Sequence, residues 1–243
     1  MKKAIIIIGN LPPKVNSQEY RTLWLNFLTS GYGGGWHTED HDEIIVLEEQ
    51  TRMQIRACLE HVRSEQPDFC IVSFLGHGAC NFGQTEIQVN SNQEIMTAQE
   101  LIDVSTKQIT IIDCCRNVVD YRINPIRIDE DNDRCNRGRR FYNACINQCP
   151  PQQVVLYGCN VGESALGTPL GGLFTNTLIQ VATDPVFRNE CCINIVEAGN
   201  QATTLTEWEA RVHHNVRDQH PQVCYEPNIQ HYLPWAVGHN LLL

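Results

Sequence analysis

The sequence predicts an α/β sandwich with a mostly parallel central sheet flanked by helices. Short apolar runs rich in Ile and Val recur at 4–8, 43–47, 69–75, 109–113 and 154–157, and stretches with helical spacing separate several of them. Runs without polar alternation mark strands buried on both faces, and strands alternating with helices pack in layers. Size is the third observation. A chain of 243 residues, 42% hydrophobic and 19% charged, suits one sizeable globular domain and is expected to form a single unit over 1–243.

The first strand is Ala4-Ile5-Ile6-Ile7-Ile8. It follows Met1-Lys2-Lys3 as a signal peptide's apolar stretch would, but it ends at Gly9-Asn10-Leu11-Pro12-Pro13. A secretory signal needs about 7–15 apolar residues and a transmembrane helix about 20, so the expectation is a soluble cytoplasmic protein with no membrane partner. Over 17–28, Leu23, Phe27 and Leu28 fall at helical spacing, and Thr51-Arg-Met-Gln54 fits a capping box opening a helix to about Ser64. Gly33-Gly34-Gly35 precedes a strand instead of joining a strand to a helix, which is the wrong context for a phosphate loop. Weak alternation over 86–96 around Asn90-Ser91-Asn92 suggests a hairpin, and Thr97 caps a short helix to about Val104.

From about 117 to 151 no clean period is seen, and the segment reads as an irregular loop insertion of the functional or disordered kind. It carries Arg122, Arg127, Arg134, Arg137, Arg139 and Arg140 beside Asp129, Glu130, Asp131 and Asp133. Beyond it, 173–181 and 206–216 read as helices, and the extended tail from 221 has a last strand near Trp235-Ala-Val237.

Charge and cysteine content exclude some functions. A net charge of −10 argues against nucleic acid as a partner, since that binding needs clustered Lys and Arg. Twelve cysteines in so long a chain do not make a stapled secreted scaffold, and they read as mostly reduced. Cys135, Cys145 and Cys149 lack a Cys-x-x-Cys spacing, so no metal is assigned to them. Asp129-Glu-Asp131-Asn-Asp133 begins like an EF-hand, but Arg134 stands at the required Gly and Arg140 at the bidentate Glu, which excludes one. A looser calcium site and a salt-bridged loop both stay open.

The chemistry concentrates at two strand ends. The run at 69–75 leads into Gly76-His77-Gly78, and the run at 109–113 leads into Cys114-Cys115-Arg116-Asn117. In open parallel sheets the carboxyl ends of strands form the ligand crevice, so a His and a Cys delivered there would meet. A His that takes a thiol proton, a Cys that attacks a carbonyl, and a glycine whose backbone N–H approaches the developing oxyanion make a nucleophilic site.

Those residues resemble the caspase-like cysteine proteases, the group of caspases, metacaspases and prokaryotic orthocaspases. Ser73-Phe-Leu-Gly-His77-Gly78 looks like that family's strand ending in His-Gly. Asp113-Cys114-Cys115-Arg116-Asn117 looks like the Gln-Ala-Cys-Arg-Gly of caspases and the Asp-Ser-Cys-His of metacaspases. Gly162-Glu163-Ser164-Ala165 and Gly172-Leu173-Phe174-Thr175 resemble the segment after the fifth strand in prokaryotic members, which the chain is most like. The resemblance implies a caspase-like three-layer sandwich and a cysteine endopeptidase acting on protein substrates, with no cofactor required for the chemistry. It implies Cys115 as nucleophile, His77 as general acid/base, and the N–H groups of Gly78 and Cys115 as oxyanion hole.

Asp113 then bears on specificity. A carboxylate at the floor of the pocket for the residue before the scissile bond pairs with a guanidinium, which implies cleavage after Arg or Lys; the alternative is that Asp113 only caps a turn. Glu19, near the start of the first helix, is a loosely aligned second acidic residue for that pocket. An enzyme cutting after Arg would find Arg134, Arg137, Arg139 and Arg140 in its own loop, which implies self-processing unless these charges are only a solvated surface. Calcium activation and control by a regulatory protein partner are further expectations from the resemblance. The alternative to a protease is a catalytically silent module that keeps the fold for interaction.

Overall fold

The computed structural model describes residues 1–38, 43–81, 83–118, 132–183 and 192–242, without the side chains of 115–118, 132 and 239. Its centre is the set of apolar runs. Strands are numbered in chain order, and β1 (Lys2–Ile8) is buried along its whole length between β2 (Ile44–Glu48) and β3 (Phe69–Gly76). Next come β7 (Lys107–Val118) and β8 (Gln152–Tyr157), also parallel, and β12 (Gln222–Tyr225) closes that edge antiparallel to β8. β7 outruns β8. Its C-terminal end pairs instead with β9 (Ala165–Thr168), which pairs in turn with β10 (Gly171–Gly172).

Alternation along the strands gives the sheet two apolar faces. Ala4, Ile6 and Ile8 face α1 (Ser17–Thr29), α3 (Asn132–Gln148), α4 (Leu173–Ala182) and α5 (Ile195–His214), whose core side chains include Trp24, Tyr142, Phe174 and Ala202. Ile5, Ile7 and Phe74 face α2 (Arg52–Ser64) through Ile55, Leu59 and Val62. That second layer also holds a small antiparallel sheet of β4 (Gly78–Asn81), β5 (Gln84–Gln88) and β6 (Ile95–Thr97), which follows β3 directly. A separate pair, β11 (Cys192–Asn194) with β13 (Pro234–Val237), lies against α3.

Local chemistry fixes the helix ends where the sequence signals them. Asn16 Oδ1 accepts from the backbone of Gln18 and Glu19 to start α1, and Thr51 with Gln54 makes the full capping box of α2. The helix after Thr97 is shorter than expected, a 3-10 turn over Ala98–Leu101. α5 begins well before 206, because Asn194 caps it by accepting from Glu197 N.

The expected irregular insertion needs correction. Its part from 132 to 148 is helix α3, while 119–131, with Arg122, Arg127 and Asp129 to Asp131, lies outside the described residues. Tyr142, Ile146 and Cys149 fall at helical spacing and are buried, but the charges between 133 and 140 mask that stripe in the sequence. Gly138 lets the helix touch the turn after α1, since a Cβ there would lie 2.1 Å from Gly31 O. Arg139 pairs with Glu43 through both terminal guanidinium nitrogens, at 2.6 and 2.7 Å. Arg137 donates to Leu242 O at 2.9 Å. Arg134, Arg137, Arg139 and Arg140 are thus helical residues. Cleavage after any of them requires α3 to unwind, because a peptidase takes its substrate as extended chain.

Candidate active site

Parallel register builds the site. Gly76 of β3 stands opposite Cys114 of β7, so His77, just past the end of β3, and Cys115, still within β7, come at the same level on neighbouring strands. His77 is half-buried and its main chain is held from two sides: N–H donates to Asn10 O at 3.0 Å, and its carbonyl accepts from Gln88 N at 2.9 Å. Gly78 opens β4 tightly against β7, where a Cβ would meet Cys114 Sγ at 2.6 Å. Only glycine permits that approach. The backbone of Cys115 pairs with Ala165 of β9. His77, Gly78 and Cys115 therefore share one sheet edge.

Asp113, two residues before Cys115, has no solvent exposure. Its Oδ2 accepts from Thr175 N and Thr175 Oγ1, both at 2.8 Å, and so caps the open N-terminus of α4 from outside the helix. Oδ1 is buried with no hydrogen-bond partner. Two glycines make room for the carboxylate: a Cβ on Gly158 would lie 2.5 Å from Oδ1 and one on Gly172 2.0 Å from Oδ2. Burial pushes the Asp113 carboxyl up to about 6, offset only in part by the bonds from Thr175.

Glu19 does not join this buried group. It is exposed in the first turn of α1, and Tyr20 is the residue that turns inward. The Tyr20 hydroxyl lies 3.0 Å from Ser73 Oγ, and its ring fills the space beside Gly171, where a Cβ would come within 2.2 Å of Cδ2. Burial raises the Tyr20 hydroxyl far above its ordinary range, so it stays protonated.

A second arrangement missing from the sequence reading holds the loop at 158–164. Gln219 donates to Gly158 O at 3.0 Å and accepts from Leu166 N at 3.1 Å, so it spans the base of the loop. His220 Nδ1 lies 2.7 Å from Glu163 Oε1, and Gln222 donates to Asn160 Oδ1 at 2.8 Å. Partial burial works against ionisation of Glu163, yet the N–H groups of His220 and Asn160 and the His220 ring hold it below the usual carboxylate range. Glu163 bonding raises His220 in return. On the opposite face of β7 from Asp113, Cys114, Ile112 and Tyr157 line a cavity of about 160 Å³, and none of the described residues in its wall is charged.

Among the described residues, no helix is long and apolar enough to cross a membrane. The caspase domain family matches residues 15–233. No curated protein matches the chain in sequence. Among solved structures, caspase-1 from Spodoptera frugiperda is similar at a TM-score of 0.55 and 11% identity, over 92% of this chain and 85% of that one. At that identity the likeness is one of fold.

Proposed function

The chain belongs to the caspase-domain family of cysteine peptidases, and from that premise we propose that it is an endopeptidase that cleaves proteins after Arg or Lys, using Cys115 and His77. The observation that carries this reading is the register of β3 and β7, which sets the backbone of the two residues at the same level on neighbouring strands. His77 takes the proton of the Cys115 thiol, and the thiolate attacks the scissile carbonyl. The N–H groups of Gly78 and Cys115 receive the oxyanion, and His77 returns the proton to the leaving amine. Water then hydrolyses the thioester by the same exchange. No residue in this sequence of steps needs a metal or cofactor, and calcium enters only as an activator.

Asp113 supports the basic preference. Its unpartnered Oδ1 is a buried acceptor awaiting a donor, and a substrate guanidinium or ammonium supplies both the hydrogen bond and the counter-charge. An acidic side chain would meet repulsion there instead. Regulation by a protein partner belongs to the same reading.

The test is hydrolysis of fluorogenic peptides with Arg, Lys or Asp before the scissile bond, with and without calcium, by the parent, Cys115→Ala and His77→Ala. Arg and Lys peptides are expected to turn over at least about 100-fold faster than Asp peptides, and both variants to be inactive. A preference for Asp would keep the peptidase and remove the role given to Asp113. A parent silent toward every peptide in every condition would leave the interaction module as the function.

A further inference from the structure

The cavity on the Cys114 face of β7 takes no part in the bond-breaking steps. Ile112, Cys114 and Tyr157 form its floor, Cys80 of β4 stands in one wall, and Asn160 and Val161 of the loop at 158–164 stand in the other. Ala79 on one rim and Val161 with Gly162 on the other are exposed, so the cavity opens to solvent. Its volume of about 160 Å³ is enough for a ring or a branched aliphatic side chain, since an apolar protein cavity of about 150 Å³ takes up benzene. No described residue of the wall is charged, so an ion entering it would give up water without gaining a counter-charge. The loop wall is set in advance: His220 Nδ1 lies 2.7 Å from Glu163 Oε1, and Gln222 donates to Asn160 Oδ1 at 2.8 Å. A preformed wall spares the ligand the cost of ordering it.

We propose that this cavity receives the residue after the scissile bond and selects a large uncharged apolar side chain there, Leu or Phe, a reading that rests on the proposed peptidase activity. The first support is its closeness to the proposed oxyanion donors. A Cβ on Gly78 would lie 2.6 Å from Cys114 Sγ, so the thiol that floors the cavity sits directly against Gly78. The second is the order of residues in β7. Asp113 and Cys114 are consecutive and face opposite layers, Asp113 toward α4 through Thr175 and Cys114 toward the layer that holds Ile55 and Ile87.

A substrate taken as extended chain also turns successive side chains to opposite sides. With the residue before the bond turned to Asp113, the next residue faces Cys114. The residue two before the bond shares that side, but it lies across the carbonyl from the leaving amine. His77 hands its proton to that amine, so the chain beyond the bond departs past His77. β4 follows His77 immediately and carries a wall of the cavity, which puts the cavity on the departing side.

The experiment measures kcat/KM of the intact chain on internally quenched peptides that share Arg before the bond and carry Leu, Phe, Gly or Glu after it. Leu and Phe are expected to exceed Gly and Glu by at least about 10-fold. Cys80→Phe, which fills the cavity, should erase the advantage of Leu over Gly. Val161→Lys, on the exposed rim, should raise the ratio of Glu to Leu about 10-fold, and it stays measurable if Cys80→Phe fails to fold. Each result is a ratio between peptides on one protein, so a smaller folded fraction does not imitate it. Equal turnover of Leu, Gly and Glu peptides by an active parent would overturn the subsite and leave the peptidase standing. The same holds for a Leu preference that both variants leave intact, or for a preference two residues before the bond that Cys80→Phe removes. Failure to cleave any of the peptides would instead remove the peptidase reading, and the subsite with it.

Discussion

At Asp113 one carboxylate oxygen takes two hydrogen bonds from Thr175, and the other has none. The side chain thus anchors the start of α4 through one oxygen and buries the other without a hydrogen bond. Burying it has a measurable cost. A carboxyl moved from 3.8 to about 6 binds its proton more tightly in the folded state, so its favourable contribution is complete below the unfolded value and is lost as pH rises through about 6. The shift corresponds to about 3 kcal/mol as an upper scale. Asp113→Asn keeps an acceptor for Thr175 and removes the titration. Between pH about 4.5 and about 7.5 the parent should lose about 2 kcal/mol of stability relative to Asp113→Asn in urea unfolding. Parallel pH dependence of the two proteins would show that burial does not raise the Asp113 carboxyl.

The elements show which parts of the fold the sequence exposes. Uninterrupted Ile and Val runs announce β1, β3, β7 and β8, and because the Gly-His-Gly and Asp-Cys-Cys motifs sit at the ends of such runs, His77, Gly78 and Cys115 were legible with them. Partners distant in sequence were not. Thr175 reaches Asp113 across 62 residues, Tyr20 reaches Ser73 across 53, and Glu163 meets His220 across 57. Strands as short as β10 and β11 exist because of what they pair with, so no local period marks them. α3 is masked in the sequence by its own charges, and Gly138 in its interior lowers the local helix propensity. That glycine gives a prediction of inverted sign. Helix propensity alone would make Gly138→Ala stabilising by about 1 kcal/mol. The added Cβ would instead lie 2.1 Å from Gly31 O and 2.6 Å from Gly31 Cα, both backbone atoms that cannot swing aside. Thermal or urea unfolding should show Gly138→Ala destabilised by about 1–3 kcal/mol, and a stabilised variant would mean that α3 does not rest on that turn.

Over the whole molecule, the two stretches flanking 119–131 build one sheet and one core. The first contributes β1 to β7. The second returns beneath it with α3 and beside it with β8 and β9, both paired to β7. Rings from the two stretches pack together: Trp235 against Trp24 and Phe27, and Tyr142 against Trp36 and Phe69. Arg139 with Glu43 and Thr175 with Asp113 add polar links across the same boundary, the second wholly buried. Separating the stretches would bare a common apolar core and a line of unpaired strand edge in β7, an outcome far costlier than the break of one peptide bond. A recognition sequence for a site-specific protease placed within 119–131 and then cut should therefore leave both pieces co-eluting at the size of the intact chain. They should part only in guanidinium. Separate elution, or precipitation of either piece after cutting, would show that the link is needed to hold the sheet together. Co-elution would mean that this domain tolerates a break just beyond β7.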